Sequence, residues 1–284
     1  MDESPDEGMW PEEPAAKVAL PPSRPGGPIR QLTLAVTFLT GVPLPVRGEV
    51  TPAELWRSMG WYPLVGLALG AAAWGLYSAL LVLLPGLVAA VLVVLALEVL
   101  TRGLHMDGLM DTADGIFSGA PRERALEIMK DSQVGAMGVV AAILIVLLKV
   151  AALGALTRAD AAAPLLVGWT AARALPAIDV YAWPYARRAG TGEAFTREHT
   201  PGPVVLAVAL LGGALVASAI VSIAVGGAGG WWAGAAIAGL AVGVTLLVQA
   251  AVAKRLGGLT GDVYGMGIQI AEAAALVVGC ALAR

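Results

Sequence analysis

A cluster of carboxylates lies between long apolar runs, in the segment His105–Gly115. Asp107, Asp111 and Asp114 are spaced at i, i+4 and i+7, which places all three on one face of a helix. Three anions on one face repel each other unless a cation lies among them. Mg²⁺ takes oxygen ligands and commonly bridges one or two carboxylates to a substrate phosphate. The spacing therefore predicts that these three residues bind Mg²⁺ in an enzyme that acts on a phosphate or diphosphate.

A fourth carboxylate follows in Lys130-Asp131-Ser132, just before a run of small residues. We expect Asp131 to serve as a metal ligand and as the general base, and Lys130 and Ser132 to bind substrate phosphate. His105 is the alternative proton carrier, because it precedes the cluster by two residues. In the competing interpretation the region is a solvated loop, with Asp114 in a turn and Asp131-Ser132 capping the next helix.

The composition is that of a membrane protein. The chain is 58% hydrophobic and 14% charged, with a mean hydropathy of +0.77, whereas a soluble domain carries roughly 25% charged residues. Most of its apolar runs approach the ~20 residues that a spanning helix needs. They are Leu64–Pro85, Gly86–Leu100, Gly138–Leu156, Ala161–Ala182, Pro203–Val225, Trp231–Ala253 and Met266–Ala283. The sequence therefore predicts an all-α polytopic bundle of about seven spans.

The distribution of basic residues predicts the orientation of these spans. With the N-terminus inside, fourteen of the 18 Lys and Arg residues fall in inside segments. Only Arg158 and Arg284 fall outside, while Lys149 and Arg173 lie within spans. Cytoplasmic loops are enriched in Lys and Arg. We therefore expect the N-terminus and the acidic motif on the cytoplasmic face, together with the loops 183–203 and 254–265.

The remaining segments set the domain boundaries. Residues 1–28 are rich in acid and Pro and contain no apolar stretch, so they are expected to form a disordered tail rather than a signal peptide. Residues 29–284 would then form one membrane catalytic domain. Within it, 31–46 is expected to be interfacial or re-entrant. The lone Cys280 excludes an intramolecular disulfide.

Several charged residues outside the main motif are candidates for substrate binding. Arg173 and Glu272 interrupt apolar segments, where charge is a functional hypothesis by default; Arg173 with an acid forms either a structural ion pair or a diphosphate clamp. Arg188 is either an anion site or a membrane anchor. Thr260 and Asp262 lie in a Gly-rich loop before a helix, which is either an anion or ribose-hydroxyl site or a flexible connection.

Five segments resemble one known family. They are His105–Gly115, Leu126–Ser132 with Gly135 following, Leu259–Gly265 with Glu272, Phe38–Pro45 and Tyr62–Gly66. Together they resemble the cobalamin synthase family, the adenosylcobinamide-GDP ribazoletransferases. The resemblance covers most of the chain after residue 30, whereas the acidic tail has no counterpart in it.

The resemblance implies an Mg²⁺-dependent transferase of a substituted phosphate group, acting late in cobalamin (vitamin B12) biosynthesis. The substrates would be adenosylcobinamide-GDP and α-ribazole or its 5′-phosphate, and the products adenosylcobalamin or its 5′-phosphate and GMP. The enzyme would lie in the bacterial inner membrane as a multi-pass protein. We expect the lipid bilayer as a partner and no nucleic acid, with a homo-oligomer as one option.

Three other classes share part of this pattern. CDP-alcohol phosphotransferases also carry the fragment Asp111–Gly115, but their following Ala-Arg is replaced here by Ile116-Phe117. Membrane prenyltransferases hold Mg²⁺-diphosphate with Asp clusters, yet Lys130–Ser132 does not match their second cluster. A transporter with an acidic vestibule would favour paired broken-helix repeats, which the sequence does not show.

Overall fold

The computed structural model describes residues 26–187, 200–226 and 232–283. Arg188 and nearly all of the predicted tail 1–28 lie outside these ranges. Within them the chain forms eleven α-helices and one π-helix. They are α1 Pro28–Leu39, α2 Pro52–Met59, α3 Tyr62–Leu80, α4 Gly86–Leu100, α5 Leu104–Phe117, α6 Arg122–Ile128, α7 Ala136–Ala155, the π-helix Pro164–Gly168, α8 Trp169–Ala182, α9 Gly202–Val225, α10 Ala233–Leu256 and α11 Gly261–Leu282. The predicted all-α class is confirmed.

Five of the described helices are long and apolar enough to cross a membrane: α3, α7, α9, α10 and α11. Helices α4 and α5 make a sixth if they are counted together as one span bent by 89°. The chain is therefore a multi-pass membrane protein. The predicted number of about seven spans exceeds this count because the segment 161–182 is divided into the π-helix and α8, so neither part reaches the length of a span.

The π-helix and α8 form the centre of the bundle. They pack against α3, α9, α10 and α11, and every residue from Ala161 to Ala177 is buried. This segment carries Arg173 and Asp179, which are also buried. Charged side chains are costly in lipid, so the segment that carries them lies where protein partners surround it.

The acidic motif lies on α5, immediately after the bend from α4. At the bend Arg102 and Gly103 have φ angles of 54° and 64°, the left-handed region that a non-glycine residue rarely adopts. Asp107, Asp111 and Asp114 all fall within α5, which confirms the helix on which their predicted spacing depends. The acids therefore lie on a helix whose axis is bent by 89° from that of α4.

Helices α1 and α2 pack on each other beside α5 and are tied together by charge. The Arg30 Nε donates to the Glu54 carboxylate at 2.7 Å. Glu54 also accepts from the backbone N–H groups of Thr51 and Gly26, and Thr51 in turn caps α2. Burial alone would raise the pKa of Glu54, but these hydrogen bonds hold it below its usual value. Within the predicted interfacial segment 31–46, the chain is helical only up to Leu39.

Candidate active site on helix α5

Helices α5 and α11 cross so closely that their backbones touch. A Cβ placed on Gly108 of α5 would lie 2.6 Å from the backbone oxygen of Asp262. On the other side, a Cβ on Gly265 would lie 3.3 Å from the Cα of His105. Glycine at both positions permits this approach. The crossing brings the beginning of α11, with Asp262, against the acidic helix.

Four carboxylates interact around one guanidinium at this crossing. Asp111 interacts electrostatically with Asp107, Asp114 and Asp262, and with Arg187. The Arg187 Nη2 donates to the Asp262 Oδ2 at 2.7 Å. Negative charge therefore exceeds positive charge among the groups that act on Asp111, so the site favours a bound cation.

Two loops reach this site together. The Ala186 N–H donates to the Leu259 oxygen at 2.8 Å, and the Leu259 N–H donates to the Pro184 oxygen at 3.0 Å. Arg122 of α6 holds the pair by donating to the oxygens of Leu256 and Ala186, at 2.6 and 2.8 Å. Described residues of the two loops predicted to lie on the same face as the acidic motif are thus in contact, and their pairing places Arg187 beside Asp262.

Asp114 has a position different from that of the other two acids of the motif. Its Oδ2 accepts from the Gly135 N–H and its Oδ1 from the Gly138 N–H, both at 2.8 Å. These N–H groups belong to the first turn of α7, whose own cap residue Gly135 supplies no side chain. The backbone N–H groups of Gly135 and Gly138 therefore bind the carboxylate of Asp114, which anchors the start of α7.

The donor set suits Mg²⁺ with an incomplete protein cage. In the described part of the chain, no three His, Cys, Asp or Glu side chains stand close enough to share one metal. Mg²⁺ usually keeps several waters and uses one or two carboxylates together with substrate phosphates. Asp107 and Asp111, one turn apart and near a surplus of negative charge, meet that requirement. The metal role of these acids remains a prediction.

Two cavities meet at Asp107. The larger, of about 990 Å³, lies between α1, α2 and α5 and is lined by Arg102, Met106 and Met110 among others. The smaller, of about 330 Å³, extends towards α11 and is lined by residues that include Met59 and Asp262. Both share the walls Phe38, Leu104 and Asp107. A reaction between two bound molecules at the Asp107 carboxylate fits this arrangement.

His105 lines the smaller cavity and is only 3% exposed. Its Nε2 is buried without a hydrogen-bond partner among the described residues. The ring thus stands beside the acids, as its position in the motif predicts, with one nitrogen available to a ligand. Whether it carries a proton in the reaction is a prediction that these contacts leave open.

Lys130, Asp131 and Ser132 lie in the exposed connection between α6 and α7. The Asp131 Oδ1 accepts from the Gln133 N–H at 3.0 Å, which stabilises a local turn. Within the described ranges, no hydrogen bond or ion pair joins these three residues to α5. Their roles as base, ligand and phosphate contacts therefore remain predictions.

Arg173 and Glu272 meet inside the bundle instead of facing the cavities. Arg173 and Lys149 both donate to the Glu272 carboxylate, Lys149 at 2.5 Å. Lys149 also donates to Gln269, whose Nε2 donates to Glu98 at 3.1 Å. The sequence leaves Arg173 as either a structural ion pair or a diphosphate clamp, and its contact with Glu272 is that of a structural ion pair. A substrate role for Arg173 or Glu272 has no support in these contacts and stays a prediction.

Thr260 caps α11, as its place before a helix predicts. Its hydroxyl accepts from the Val263 N–H at 3.4 Å and donates to the Asp262 Oδ2 at 3.2 Å. The sequence does not single out Arg187, which the pairing of residues 184–186 with Leu259 places beside Asp262; the adjacent Arg188 lies outside the described residues. The cavity residues Phe38, Met59 and Tyr62 are also missed, since nothing in their spacing sets them apart from core residues.

Known protein sequences match this chain over most of its length. A family model described as cobalamin-5-phosphate synthase matches residues 31–280. A protein of Brevibacillus brevis named adenosylcobinamide-GDP ribazoletransferase is 40% identical over 251 residues, 86% of this chain and 95% of that protein. A protein of the same name from Desulfitobacterium hafniense is 41% identical over 254 residues, 86% of this chain and 94% of that protein. No solved structure matches significantly.

Proposed function

The chain belongs to the cobalamin-5-phosphate synthase family, and on that premise we propose that it is an adenosylcobinamide-GDP ribazoletransferase of cobalamin biosynthesis. It joins adenosylcobinamide-GDP to α-ribazole or to α-ribazole 5′-phosphate and releases GMP. The observation that carries this proposal is the meeting of two cavities of unequal size at the Asp107 carboxylate. The compact acceptor fits the smaller cavity, the corrinoid donor enters the larger cavity with only part of its structure, and the reacting phosphate lies between them.

The reaction breaks a phosphoanhydride bond of the donor and forms a phosphoester bond to the acceptor. An alcohol oxygen of the acceptor forms a bond to the phosphorus that carries cobinamide. The bond from that phosphorus to the oxygen of GMP breaks, and GMP leaves with the electron pair. The alcohol proton passes to a base, for which Asp131 and His105 are the candidates. His105 lines the smaller cavity, whereas Asp131 lies in the exposed connection between α6 and α7.

Asp107 and Asp111 are the residues that would hold Mg²⁺, with Asp114 and Asp131 as further predicted ligands. When bound, Mg²⁺ supplies charge neutralisation for the diphosphate and for the departing GMP. Asp114 contributes by fixing the first turn of α7 against α5. Arg187 holds Asp262 at the same crossing and balances part of the acidic charge in the absence of substrate.

The setting of the reaction follows from the basic residues of the sequence. We place the enzyme in the bacterial inner membrane with the N-terminus and α5 on the cytoplasmic side, where water-soluble nucleotides are found. The positive-inside rule supports this orientation. Homo-oligomer formation is compatible with the apolar outer faces of the spans, which carry exposed residues such as Leu144, Leu147 and Leu247.

Product analysis tests the function directly. Purified protein in detergent is incubated with adenosylcobinamide-GDP, Mg²⁺, and either α-ribazole or its 5′-phosphate, and the products are separated by mass spectrometry. We expect GMP together with adenosylcobalamin or its 5′-phosphate, and none without Mg²⁺. Turnover of a CDP-alcohol in place of the corrinoid substrate, or no product with either acceptor, would refute the proposal.

A further inference from the structure

The smaller cavity has the walls of a site for a flat aromatic ring. The Phe38 and Tyr62 rings stack with centroids 5.9 Å apart and planes within 15° of each other, and both line the cavity. Met59 and Ile268 add buried apolar surface. Sites for small organic ligands are typically apolar, with a few placed polar groups and a volume of roughly 300–1,000 Å³. The volume of about 330 Å³ suits one compact ring system.

The His105 imidazole is one of the polar groups at this cavity, which Asp107, Asp262 and the hydroxyl-bearing Tyr62 and Tyr264 also line. The His105 Nε2 is buried, and no described side chain or backbone group forms a hydrogen bond with it. A buried polar atom without a partner is costly and calls for an explanation, such as a ligand that completes the bond. His105 is held in place because a neighbouring glycine, Gly265, packs directly on its backbone.

We propose that this cavity binds the benzimidazole base of the acceptor nucleoside, and that the His105 Nε2–H donates a hydrogen bond to the ring nitrogen that does not carry the ribose. The assignment rests on the proposed function. It makes His105 a specificity residue that recognises the acceptor base. The cavity opens at Asp107, so a base bound inside it leaves the ribose hydroxyls facing the carboxylates of α5.

The two cavities also explain how the substrates are kept apart. The macrocycle of the donor is much larger than the smaller cavity, of about 330 Å³, so the donor can enter only the larger cavity, which it occupies in part. Met59 lines the smaller cavity alone, and Met106 lines the larger cavity alone. Bulk added at either position therefore blocks one substrate and leaves the other's site intact.

The first experiment replaces each of these two methionines with tryptophan, in separate variants. Met59→Trp is expected to raise the KM for α-ribazole at least tenfold and to change the KM for adenosylcobinamide-GDP less than twofold. Met106→Trp should do the reverse. If Met59→Trp does not fold, Ile268→Phe fills the same cavity and serves in its place. The inference is overturned if either filling variant of the smaller cavity raises the KM of the donor instead of the acceptor.

The second experiment isolates the hydrogen bond. Binding of α-ribazole and of its 5,6-dimethylindole counterpart, which has carbon in place of the free ring nitrogen, is measured to the full-length protein without donor. The unaltered protein should prefer α-ribazole roughly tenfold, the size of one net hydrogen bond. His105→Phe should bind both equally, and His105→Gln, which keeps a donor, should recover part of the preference.

These outcomes separate the inference from the proposed function. If His105 acts only as a base, His105→Phe lowers kcat but keeps the tenfold preference in binding, and the inference fails. If the unaltered protein forms product yet does not distinguish the two nucleosides, the inference also fails while the function stands. If no product forms with any acceptor, the function fails, whereas a preference for α-ribazole that His105→Phe abolishes would still support the binding site.

Discussion

At the scale of single residues, three acids of one motif have different surroundings. Asp107 borders both cavities, and Asp111 stands among like charges. Both oxygens of Asp114, by contrast, accept hydrogen bonds from the backbone of α7. A carboxylate at a helix N-terminus stabilises that helix. We therefore expect Asp111 to contribute mainly to turnover. Asp114 should contribute both to turnover and to the stability of the fold.

Replacing these two acids separately should reveal the difference. We expect Asp111→Asn to lower turnover roughly 10²–10³-fold, the usual effect of losing a group that stabilises developing charge, with little change in the free energy of unfolding. Asp114→Asn should lower turnover and also cost about 1–3 kcal/mol, because its amide leaves one backbone N–H without an acceptor. Unfolding in mixed micelles and single-turnover rates measure the two effects.

Each variant is the control for the other. Equal loss of stability in both would mean that Asp111 also holds the fold, and normal stability of Asp114→Asn would mean that its contacts with α7 contribute nothing. Either result would contradict the separation of roles.

The sequence predicts the acids and their common helix but not this division of roles. The i, i+4, i+7 spacing is local information, and α5 bears it out. The partners of Asp114 are Gly135 and Gly138, more than twenty residues away, and only the packing of α7 on α5 brings them there. For the same reason the sequence does not identify Arg187 as the residue that pairs with Asp262.

At the scale of elements, the site depends on the contact between α5 and α11. Gly108→Ala would place a methyl group 2.6 Å from the Asp262 oxygen and 3.1 Å from its Cα. Since neither backbone can yield without moving its helix, we expect the helices to separate and turnover to fall at least tenfold. Activity assays and cysteine crosslinking between the two helices measure this.

Gly243→Ala on α10 is the matched control, because no atom other than its own helix lies within 4 Å of the added methyl group. It should leave activity unchanged and stabilise slightly through helix propensity. Full activity of Gly108→Ala would show that the close crossing is not needed for the site.

Helices α1 and α2 wall the larger cavity, and their ion pair should make that wall sensitive to acid. Because the pKa of Glu54 is lower in the folded protein than in the unfolded chain, its contribution to stability is present above about pH 4.5 and is lost as the pH falls through the folded-state value. The thermal midpoints of the wild type and of Glu54→Gln should therefore converge on acidification. A difference that stays constant down to pH 3 would contradict this assignment.

At the scale of the whole molecule, one buried charge network joins four helices. Glu272 of α11 binds Lys149 of α7 and Arg173 of α8, and Glu98 of α4 joins through Gln269. Arg173, Lys149 and Glu272 are each at most 3% exposed. When one member of a buried ion pair is removed, the other is left as an uncompensated buried charge, which is strongly destabilising.

We therefore expect Glu272→Gln to lower the free energy of unfolding by about 3–5 kcal/mol. Glu127→Gln, which breaks the exposed pair with Arg124 at 3.0 Å, should cost less than about 1 kcal/mol. Titration with a denaturing detergent compares the two. A loss of similar size in both variants would show that the buried network does not hold the bundle together.

The architecture of the whole chain is predictable from the sequence only in outline. Apolar runs of about 20 residues identify α3, α7, α9, α10 and α11 as spans, because lipid demands that length. The 89° bend between α4 and α5 and the burial of α8 depend on contacts between distant segments. The charges of Arg173 and Asp179 signal that burial, but the sequence alone does not name their partners.

The central claim is that Asp107 and Asp111 form the metal site at which the two substrates meet. Mn²⁺ takes the same oxygen ligands as Mg²⁺, and its binding can be followed by electron paramagnetic resonance in the presence of adenosylcobinamide-GDP. We expect the double variant Asp107→Asn/Asp111→Asn, folded to the same stability as the wild type, to bind Mn²⁺ at least tenfold more weakly. Undiminished Mn²⁺ affinity in that variant would contradict the claim.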